Sequence, residues 1–414
     1  MPDLQVEEET AADAPHSILF GARVILGVSG GIAAYKAADL ASKLVQAGAT
    51  VDVIMTAGAR EFIQPLTFQA LTKRPVHTGA FEGWTEGSFG HVTLARDASA
   101  LLVAPATANT LARLAGGFAD DMLGAVALST EAPLIVAPAM EHHMWRHAAT
   151  QANVRTLTER GGTFVPPESG RLASGHEGDG RLASTETILG TLRGVLGRGG
   201  VLAGWRVVVT AGGTQEPLDP VRFIGNRSSG KMGVALAEAA LAAGATVTLI
   251  AGPTVRQLPA GVRVERIGNA RELLSAVESA TAEADVLIMA AAVADFRPDH
   301  IASQKIKKRA GQETVTMELV RNPDIVASID RPGLLKVGFA AETESLVEHA
   351  RQKLASKRLA LIVANDAVDT IGSTESAATL IRPDRAPLAL PRMSKDALAR
   401  RIVDEIAALL PAGE

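Results

Sequence analysis

Val207–Gly233, VVVTAGGTQEPLDPVRFIGNRSSGKMG, decides how the rest of the chain is read. It opens with a β-branched run suited to a buried parallel strand, breaks at Ala211-Gly212-Gly213, and resumes at Gly230 as the amphipathic helix GKMGVALAEAALAAG. A helix N-terminus carries unpaired backbone N–H groups and partial positive charge, so Gly, Ser, Asn and Arg gathered there suit an anion, phosphate first. An ordinary βα turn needs only a few residues. This loop runs from Ala211 to Ser229.

Upstream, Arg23–Val28 (RVILGV) reads as a strand, Ser29-Gly30-Gly31 as its turn, and IAAYKAADLASKLVQAG as a helix with apolar residues at helical spacing. A second strand, in AGATVDVIMTAG, ends at Thr56. Its echo, AGATVTLIAGP, follows the later loop: Ala47–Val51 and Ala243–Val247 are the same residues at the same place in a β–loop–α–β unit. We expect two doubly wound, Rossmann-like α/β domains with parallel sheets, similar without being a tandem repeat. The first also has buried strands in ASALLVAPATANTLARLAGG and APLIVAPAM, and ligands of open parallel sheets gather at such C-terminal strand ends. PPESGRLASGHEGDGRLAS has no apolar periodicity and reads as a loop or flap, and Gly197–Gly200 as the core of a linker. The second domain continues with a helix in NARELLSAVESATAEA, a strand in VLIMAAAVADF, the basic stretch QKIKKR and a strand in LLKVGFAAET. A helix in ESLVEHARQKLASKR, a strand in LALIVAND and a closing helix in SKDALARRIVDEIAALL complete it. The expected division is a tail at 1–17, a first domain at 18–196, a linker at 197–204 and a second domain at 205–414.

A chain of 414 residues suits about two to three domains. Hydrophobic residues make up 47% and aromatics only 3%, so the cores are aliphatic, as suits parallel sheets flanked by helices. A net charge of -4 with both signs interspersed gives no reason to expect nucleic acid or an anionic membrane as partner. With no cysteine, disulfides and thiolate metal sites are excluded. The opening MPDLQVEEETAADAPHS is acidic, lacks the basic and apolar regions of a signal peptide, and reads as a disordered tail. No apolar run is long enough for a membrane span, and the expectation is a soluble, cytoplasmic protein.

DPVRFIGNRSSGKMG closely resembles the signature of the phosphopantothenate–cysteine ligase half of the bifunctional coenzyme A biosynthesis flavoproteins. The N-terminal half resembles their phosphopantothenoylcysteine decarboxylase half, so the likeness spans nearly the whole chain. It implies a flavodoxin-like, FMN-binding first domain. Ser29-Gly30-Gly31-Ile32 lies between a strand and a helix but is not GxGxxG, which suits a mononucleotide phosphate better than a dinucleotide. With Thr56, with Pro105, Thr107 and Asn109 of PATANT, and with Met140, it matches the family's FMN site. Thr107 or Asn109 also reads as a helix N-cap, which is compatible. His91, in SFGHVTLARDA, matches the family histidine that acts on the cysteinyl carboxylate or thiol beside the flavin. In the implied chemistry, oxidation of the thiol to a thioaldehyde eases loss of carbon dioxide, and flavin hydride reduces the enethiol.

Two positions depart from the family pattern. PAMN becomes PAME, setting Glu141 where an asparagine clamps the substrate carboxylate; two carboxylates repel unless one is protonated or turned away. The flap cysteine that protonates the enethiol is replaced, in LASGHEGDGR, by Ser174, a far weaker acid. Glu141, His142, His143 and His176 lie in the same stretches and could supply a proton.

The second domain has no Walker A motif, yet its cations recur at spacings that suit a triphosphate. Lys305 and Lys307 share one face of an extended segment with Lys308 on the other, and Lys353 and Lys357 share one helix face. By resemblance, Lys305 contacts the triphosphate of CTP and is needed to form the acyl-cytidylate. Lys353, Lys357, Asp295, Asn322, Pro323, Asp324, Ile325 and Phe339 line the same site, with Asn322-Pro323 also reading as a helix cap and first-turn proline. Gly212, Gly213, Ser228, Ser229, Gly230 and Lys231 of the opening stretch, with Met289, Ala290 and Ala291, complete the expected CTP site. Asn226 corresponds to the asparagine that stabilises the acyl-cytidylate, an amide able to donate to an oxyanion without adding charge. The implied reaction is attack of the 4′-phosphopantothenate carboxylate on the α-phosphate of CTP, with Mg2+, whose ligands the sequence does not name, and the lysines offsetting charge as pyrophosphate departs. Cysteine's amine then displaces CMP, and the product is decarboxylated to 4′-phosphopantetheine.

Two other readings compete. One is a ligase whose flavin domain is regulatory and does not decarboxylate, supported by Glu141 and Ser174. The other is an NAD(P)-dependent two-domain reductase, suggested by the paired glycine loops; against it stand the absence of GxGxxG and of a clear acidic residue ending the next strand. The resemblance also implies flavin-domain trimers and ligase-domain dimers.

Overall fold

The computed structural model describes residues 18–79, 90–171, 175, 177–255, 258–307, 313–342, 346–366 and 373–411. The acidic tail at 1–17 lies outside them. The chain divides between Arg198 and Gly199 into two compact units.

The first unit begins with β1 (Arg23–Val28), α1 (Lys36–Gln46), β2 (Thr50–Met55), α2 (Pro65–Thr72) and β3 (Val76–His77). It continues with α3 (Gly90–Arg96), β4 (Ala100–Ala106), α4 (Ala108–Gly116), α5 (Met122–Ser129), β5 (Leu134–Pro138), α6 (His142–Arg146), α7 (Ala148–Glu159) and β6 (Thr163–Phe164). A hairpin of β7 (Glu168–Arg171) and β8 (Glu177–Arg181) precedes α8 (Thr185–Leu196). Six strands run parallel in the order β3-β2-β1-β4-β5-β6. This doubly wound order, like the shorter order of flavodoxins, reverses next to its first strand and opens a crevice at the C-terminal ends there, between β1 and β4. Strand alternation builds both layers: Val24, Leu26 and Val28 pack with Leu40, Leu44 and Leu192 on one face, and Ile25, Ile54 and Val103 with Leu111, Met122 and Val126 on the other. The stretch expected as a loop or flap is therefore partly hairpin. Its strands carry Ser, Gly, Asp and Arg and so lack the apolar alternation that would reveal them.

The second unit starts with β9 (Arg206–Ala211), a ribbon of β10 (Gln215–Pro217) and β11 (Phe223–Gly225), α9 (Lys231–Ala242), β12 (Thr246–Ala251), β13 (Arg263–Arg266) and α10 (Ala270–Thr281). Then come β14 (Val286–Met289), a second ribbon of β15 (Phe296–Pro298) and β16 (Leu319–Arg321), α11 (Ile325–Ser328), β17 (Leu335–Glu342) and α12 (Leu346–Ser356). It closes with β18 (Leu361–Asp366), β19 (Glu375–Ile381), β20 (Leu388–Ser394) and α13 (Lys395–Ala407). The main sheet runs β13-β12-β9-β14-β17-β18-β19-β20. The AGATV echo is structural: Thr50 pairs with Arg23 in the first sheet as Thr246 pairs with Arg206 in the second.

The α/β, doubly wound class holds in both units, with corrections in the second. Its sheet is mixed, because β18, β19 and β20 pair antiparallel. The buried positions Ser376, Ala378 and Leu380 alternate along β19 and carry the period of a one-face strand. The strand in VLIMAAAVADF stops at Met289. Beyond it Ala291 N donates to Thr210 Oγ1 (3.1 Å), Ala292 N to Gly212 O (2.8 Å) and Ala294 N to Thr214 Oγ1 (3.0 Å), so the chain bends over the end of β9 instead of extending the ladder. The loop from Ala211 to Ser229 includes the β10/β11 ribbon. No helix among the described residues is long and apolar enough to cross a membrane.

Candidate functional sites

In the first unit, β1 runs into Ser29, whose side chain is fully buried. Its Oγ donates to Pro105 O at 2.8 Å and accepts from Thr107 N at 2.9 Å, while Ser29 N donates to the same carbonyl at 3.3 Å. One hydroxyl thus stitches the end of β1 to the end of β4, across a cis Ala104–Pro105 bond. Gly30 lies against the turn after β2: a Cβ there would stand 2.5 Å from the backbone carbon of Gly58, so only glycine fits. Gly31 opens the short turn Ile32–Tyr35. Thr56 caps the turn Ala57–Glu61, accepting from Ala59 N at 3.3 Å, and Thr107 caps α4, accepting from Thr110 N at 3.3 Å. Ile32 and Asn109, in the first turns of two of these elements, are exposed. Three helical starts therefore converge on a glycine-lined corner, an arrangement that presents backbone donors to an anion.

Beside that corner, Met140 N donates to Gly180 O at 2.9 Å and ties the β7/β8 hairpin to the end of β5. The hairpin is further held by α6: His142 Nδ1 accepts from Asp179 N at 3.1 Å, Arg146 donates to Asp179 at 2.8 Å, and Ser169 binds the same carboxylate. Glu141 caps α6, with Oε2 accepting from His143 N at 2.7 Å and Met144 N at 3.3 Å, and Oε1 standing 2.9 Å from His143 Nδ1. Desolvation pushes this carboxyl up, but its bonds from His143 and Met144 outweigh it and hold the group below the usual carboxylate value. Glu141 is therefore an anion bound to its own helix and a poor proton donor. His91 lies in the first turn of α3, and because α3 leads into β4, that turn faces the C-terminal strand edge. Ser174 and His176 lie outside the described residues.

In the second unit a cleft of about 710 Å³, within the size range of small-molecule sites, opens over the C-terminal end of β14 and against Gly338 and Phe339 of β17 and Ile362, Val363 and Asn365 of β18. One wall is the segment from Asn226 to Gly233. Gly230, at φ +73°, starts α9 where a Cβ would stand 2.4 Å from Val255, and its N–H donates to Ser228 Oγ at 3.3 Å. Asn226 Nδ2 donates to Val293 O at 2.8 Å, fastening this wall to the bend after β14. Opposite, Asn322 is buried and its amide is consumed: Nδ2 donates to Ala294 O at 2.8 Å and Oδ1 accepts from Arg297 at 3.1 Å. Asp324 caps α11, accepting from Ala327 N at 3.3 Å, and pairs with Lys357 at 3.1 Å. Buried Lys336 donates to Val326 O at 3.2 Å and Ile329 O at 2.9 Å, closing the other end of α11; burial lowers its pKa.

Residues 202–410 match the family described as DNA/pantothenate metabolism flavoprotein C-terminal domain, and residues 16–197 the family described as flavoprotein. The chain is 44% identical over 400 residues to the coenzyme A biosynthesis bifunctional protein CoaBC of Vibrio parahaemolyticus, covering 95% of this chain and 99% of that protein. To the proteins of the same name it is 46% identical in Mycolicibacterium smegmatis (94% and 98% covered) and 44% in Bacillus subtilis (93% and 97%). The chain belongs to the coenzyme A biosynthesis bifunctional protein family. Among solved structures, the C-terminal domain of a coenzyme A biosynthesis bifunctional protein CoaBC is 38% identical over 50% of this chain and 95% of that one, with a TM-score of 0.43. A mutant PPC decarboxylase complexed with pantothenoylaminoethenethiol is 32% identical over 42% and 97%, with a TM-score of 0.39.

In this member of the bifunctional family, the cleft gathers most of the residues expected around a nucleotide. Asn226, Ser228, Ser229, Gly230, Lys231, Met289, Ala290, Ala291, Asp295, Asn322, Pro323, Asp324, Ile325, Phe339, Lys353 and Lys357 all line it. Gly212, Gly213 and Lys305 are not on the lining. Gly212, at φ +86°, and Gly213, whose N–H donates to Thr254 Oγ1 at 2.9 Å, shape the backbone behind it, and Lys305 is exposed on the segment before residue 308. Lys308 lies outside the described residues. Sequence reading missed Asn365, Ser376 and Lys395, which also line the cleft. Lys395 opens α13 behind the cap Ser394, and its pKa is lowered by burial and then by Lys231. A Ser-Lys pair just before the closing amphipathic run was the available signal.

Proposed function

We propose that this coenzyme A biosynthesis protein joins 4′-phosphopantothenate to cysteine with CTP in the cleft of the second unit and decarboxylates the product with FMN at the crevice of the first. The ligase is assigned to residues 205–414 and the decarboxylase to 18–196. The observation that carries this reading is the single cleft in which Asn226, Lys231, Asp295, Phe339, Lys353 and Lys357 meet, although they come from widely separated stretches. In it, Lys231, Lys353, Lys357 and Lys395 offset the triphosphate charge as pyrophosphate leaves. Asn226 offers a neutral amide to the acyl oxygen, and Asp295 accepts from the nucleoside. Among the described residues no three His, Cys, Asp or Glu side chains form a metal cage, and Mg2+ in this reading arrives on the phosphates as part of the substrate.

The first unit fits a flavin phosphate, since its corner has room for backbone and none for a side chain at Gly30. FMN, when bound, supplies the two-electron oxidation and returning hydride that ease loss of a cysteinyl carboxylate. Ser29 and Thr107 hold the corner's loops, Glu141 stays anionic on α6, and His91 moves the proton at the substrate thiol or carboxylate. Likeness along the whole chain to proteins described as bifunctional favours neither the regulatory nor the reductase alternative. Purified protein given 4′-phosphopantothenate, cysteine and CTP is expected to release pyrophosphate and carbon dioxide and to show a flavin spectrum. Pyrophosphate without carbon dioxide would leave only the ligase, and neither product would end the proposal.

A further inference from the structure

The loop between β9 and α9 holds a buried carboxylate that neither site uses. Asp219 is 3% exposed. Its Oδ1 accepts from Val221 N at 2.8 Å and Arg222 N at 2.9 Å. Its Oδ2 accepts from Arg222 Nη2 at 2.6 Å and Nε at 3.0 Å, and from Ile306 N at 3.1 Å. Arg222 Nη2 also donates to Ile306 O at 2.6 Å, and Ala302 N to Leu218 O at 3.0 Å. Both backbone groups of Ile306 are thus gripped by one Asp–Arg pair, outside any strand. Burial pushes the Asp219 carboxyl up, but the bonds from Ile306, Val221 and Arg222 outweigh it and hold the pKa at about 2. Ile306 is half-buried while Lys305 and Lys307 on either side are exposed, the alternation of an extended segment. A few residues further along, the same loop becomes the cleft wall that starts at Asn226.

We propose that Asp219 is a positioning residue of the ligase: by holding Ile306 it fixes the point from which Lys305 reaches the nucleotide's phosphates, and it ties that point to the Asn226–Gly230 wall. This rests on the reading of Lys305 as a triphosphate contact. The lysine is off the cleft lining, so its reach depends on where its backbone is pinned. Its immediate neighbour Ile306 is tethered by the Asp219–Arg222 pair.

A double-mutant cycle in the full-length, flavin-loaded protein tests it, following pyrophosphate release from CTP. Lys305→Ala and Asp219→Asn are each expected to lower kcat/KM for CTP, Asp219→Asn by about tenfold or more, as a misplaced positioning group does. The double variant should be no worse than Lys305→Ala alone, because contacts acting through one group do not add. Multiplying losses would overturn the proposal and make Asp219 a residue of the fold only. Should Asp219→Asn fail to fold, Arg222→Lys, which withdraws the guanidinium bridge to Ile306 O, is taken round the same cycle under the same criterion. If Lys305→Ala leaves pyrophosphate release unchanged, the reading of Lys305 falls and the proposal falls with it, a result distinct from multiplying losses.

Discussion

Ser29 at the end of β1 donates its hydroxyl to the carbonyl of Pro105 at the end of β4, 2.8 Å away, in a place closed to solvent. Ser29→Ala leaves that carbonyl with one bond fewer and the Thr107 N–H without its acceptor. Leaving such buried groups unsatisfied costs about 1 to 3 kcal/mol. The expected outcome is a lower Tm for the first unit and loss of flavin on gel filtration, with pyrophosphate release by the ligase unchanged. Retention of flavin at the wild-type ratio would mean that the stitch does not shape the corner.

Glu141 caps α6 with an anionic side chain at the position where the sequence resemblance implies asparagine. Asparagine caps helices as well as a carboxylate does. Glu141→Asn should therefore leave Tm nearly unchanged while removing a negative charge near the crevice and adding a donor. KM for the carboxylate substrate of decarboxylation is expected to fall by roughly tenfold, the scale of a hydrogen bond to a charged group. Carbon dioxide release measured against substrate concentration checks it.

Asp324 and Lys357 stand 3.1 Å apart on the cleft lining, both partly exposed. A pair of this kind adds about 0 to 1 kcal/mol, so stability should barely respond to breaking it. Binding should respond. Lys357→Ala is expected to raise KM for CTP about tenfold, whereas Asp324→Asn keeps the cap of α11, releases the lysine and lowers KM. Initial rates over a CTP series decide between this and a purely structural pair.

Acid titration offers a separate view of Asp219. Its carboxyl sits at about 2 in the folded chain against an ordinary 3.8, so the folded state favours the anion. Its contribution is complete above about pH 4 and disappears as pH falls toward about 2. The stability gap between wild type and Asp219→Asn in the second unit should therefore close across that window. Denaturant midpoints taken at several pH values between neutrality and pH 2 measure it, and a gap that widens in acid would contradict the bonding described.

Much of this arrangement was legible because it is periodic. The twin AGATV stretches declared two related units, and alternating strands with helix-spaced apolar residues gave the parallel cores. The hairpins were not: β7 and β8 are polar throughout, and the alternation of β19 is carried in part by the small residues Ser376 and Ala378 ahead of Leu380. Most of the residues expected around a nucleotide line one cleft, although Gly212, Gly213 and Lys305 do not; Asn365, near the end of β18, carried no motif, and Lys395 was signalled only by the Ser-Lys pair ahead of the closing helix. Sequence also cannot tell a residue that meets a ligand from one that braces the backbone. Ser29 and Asn322 read as ligand contacts, yet their polar atoms are engaged by neighbouring loops.

The antiparallel turn of β19 and β20 brings the start of α13 back to the cleft, where Lys395 and Leu398 form part of its lining, while Leu398, Ile402 and Ile406 cover the apolar side of α9. In the proposed function the closing helix is therefore part of the ligase site as well as its support. A premature stop codon ahead of it would strip away part of the cleft lining as well as its outer support, and nonsense changes there should behave as null alleles of the ligase.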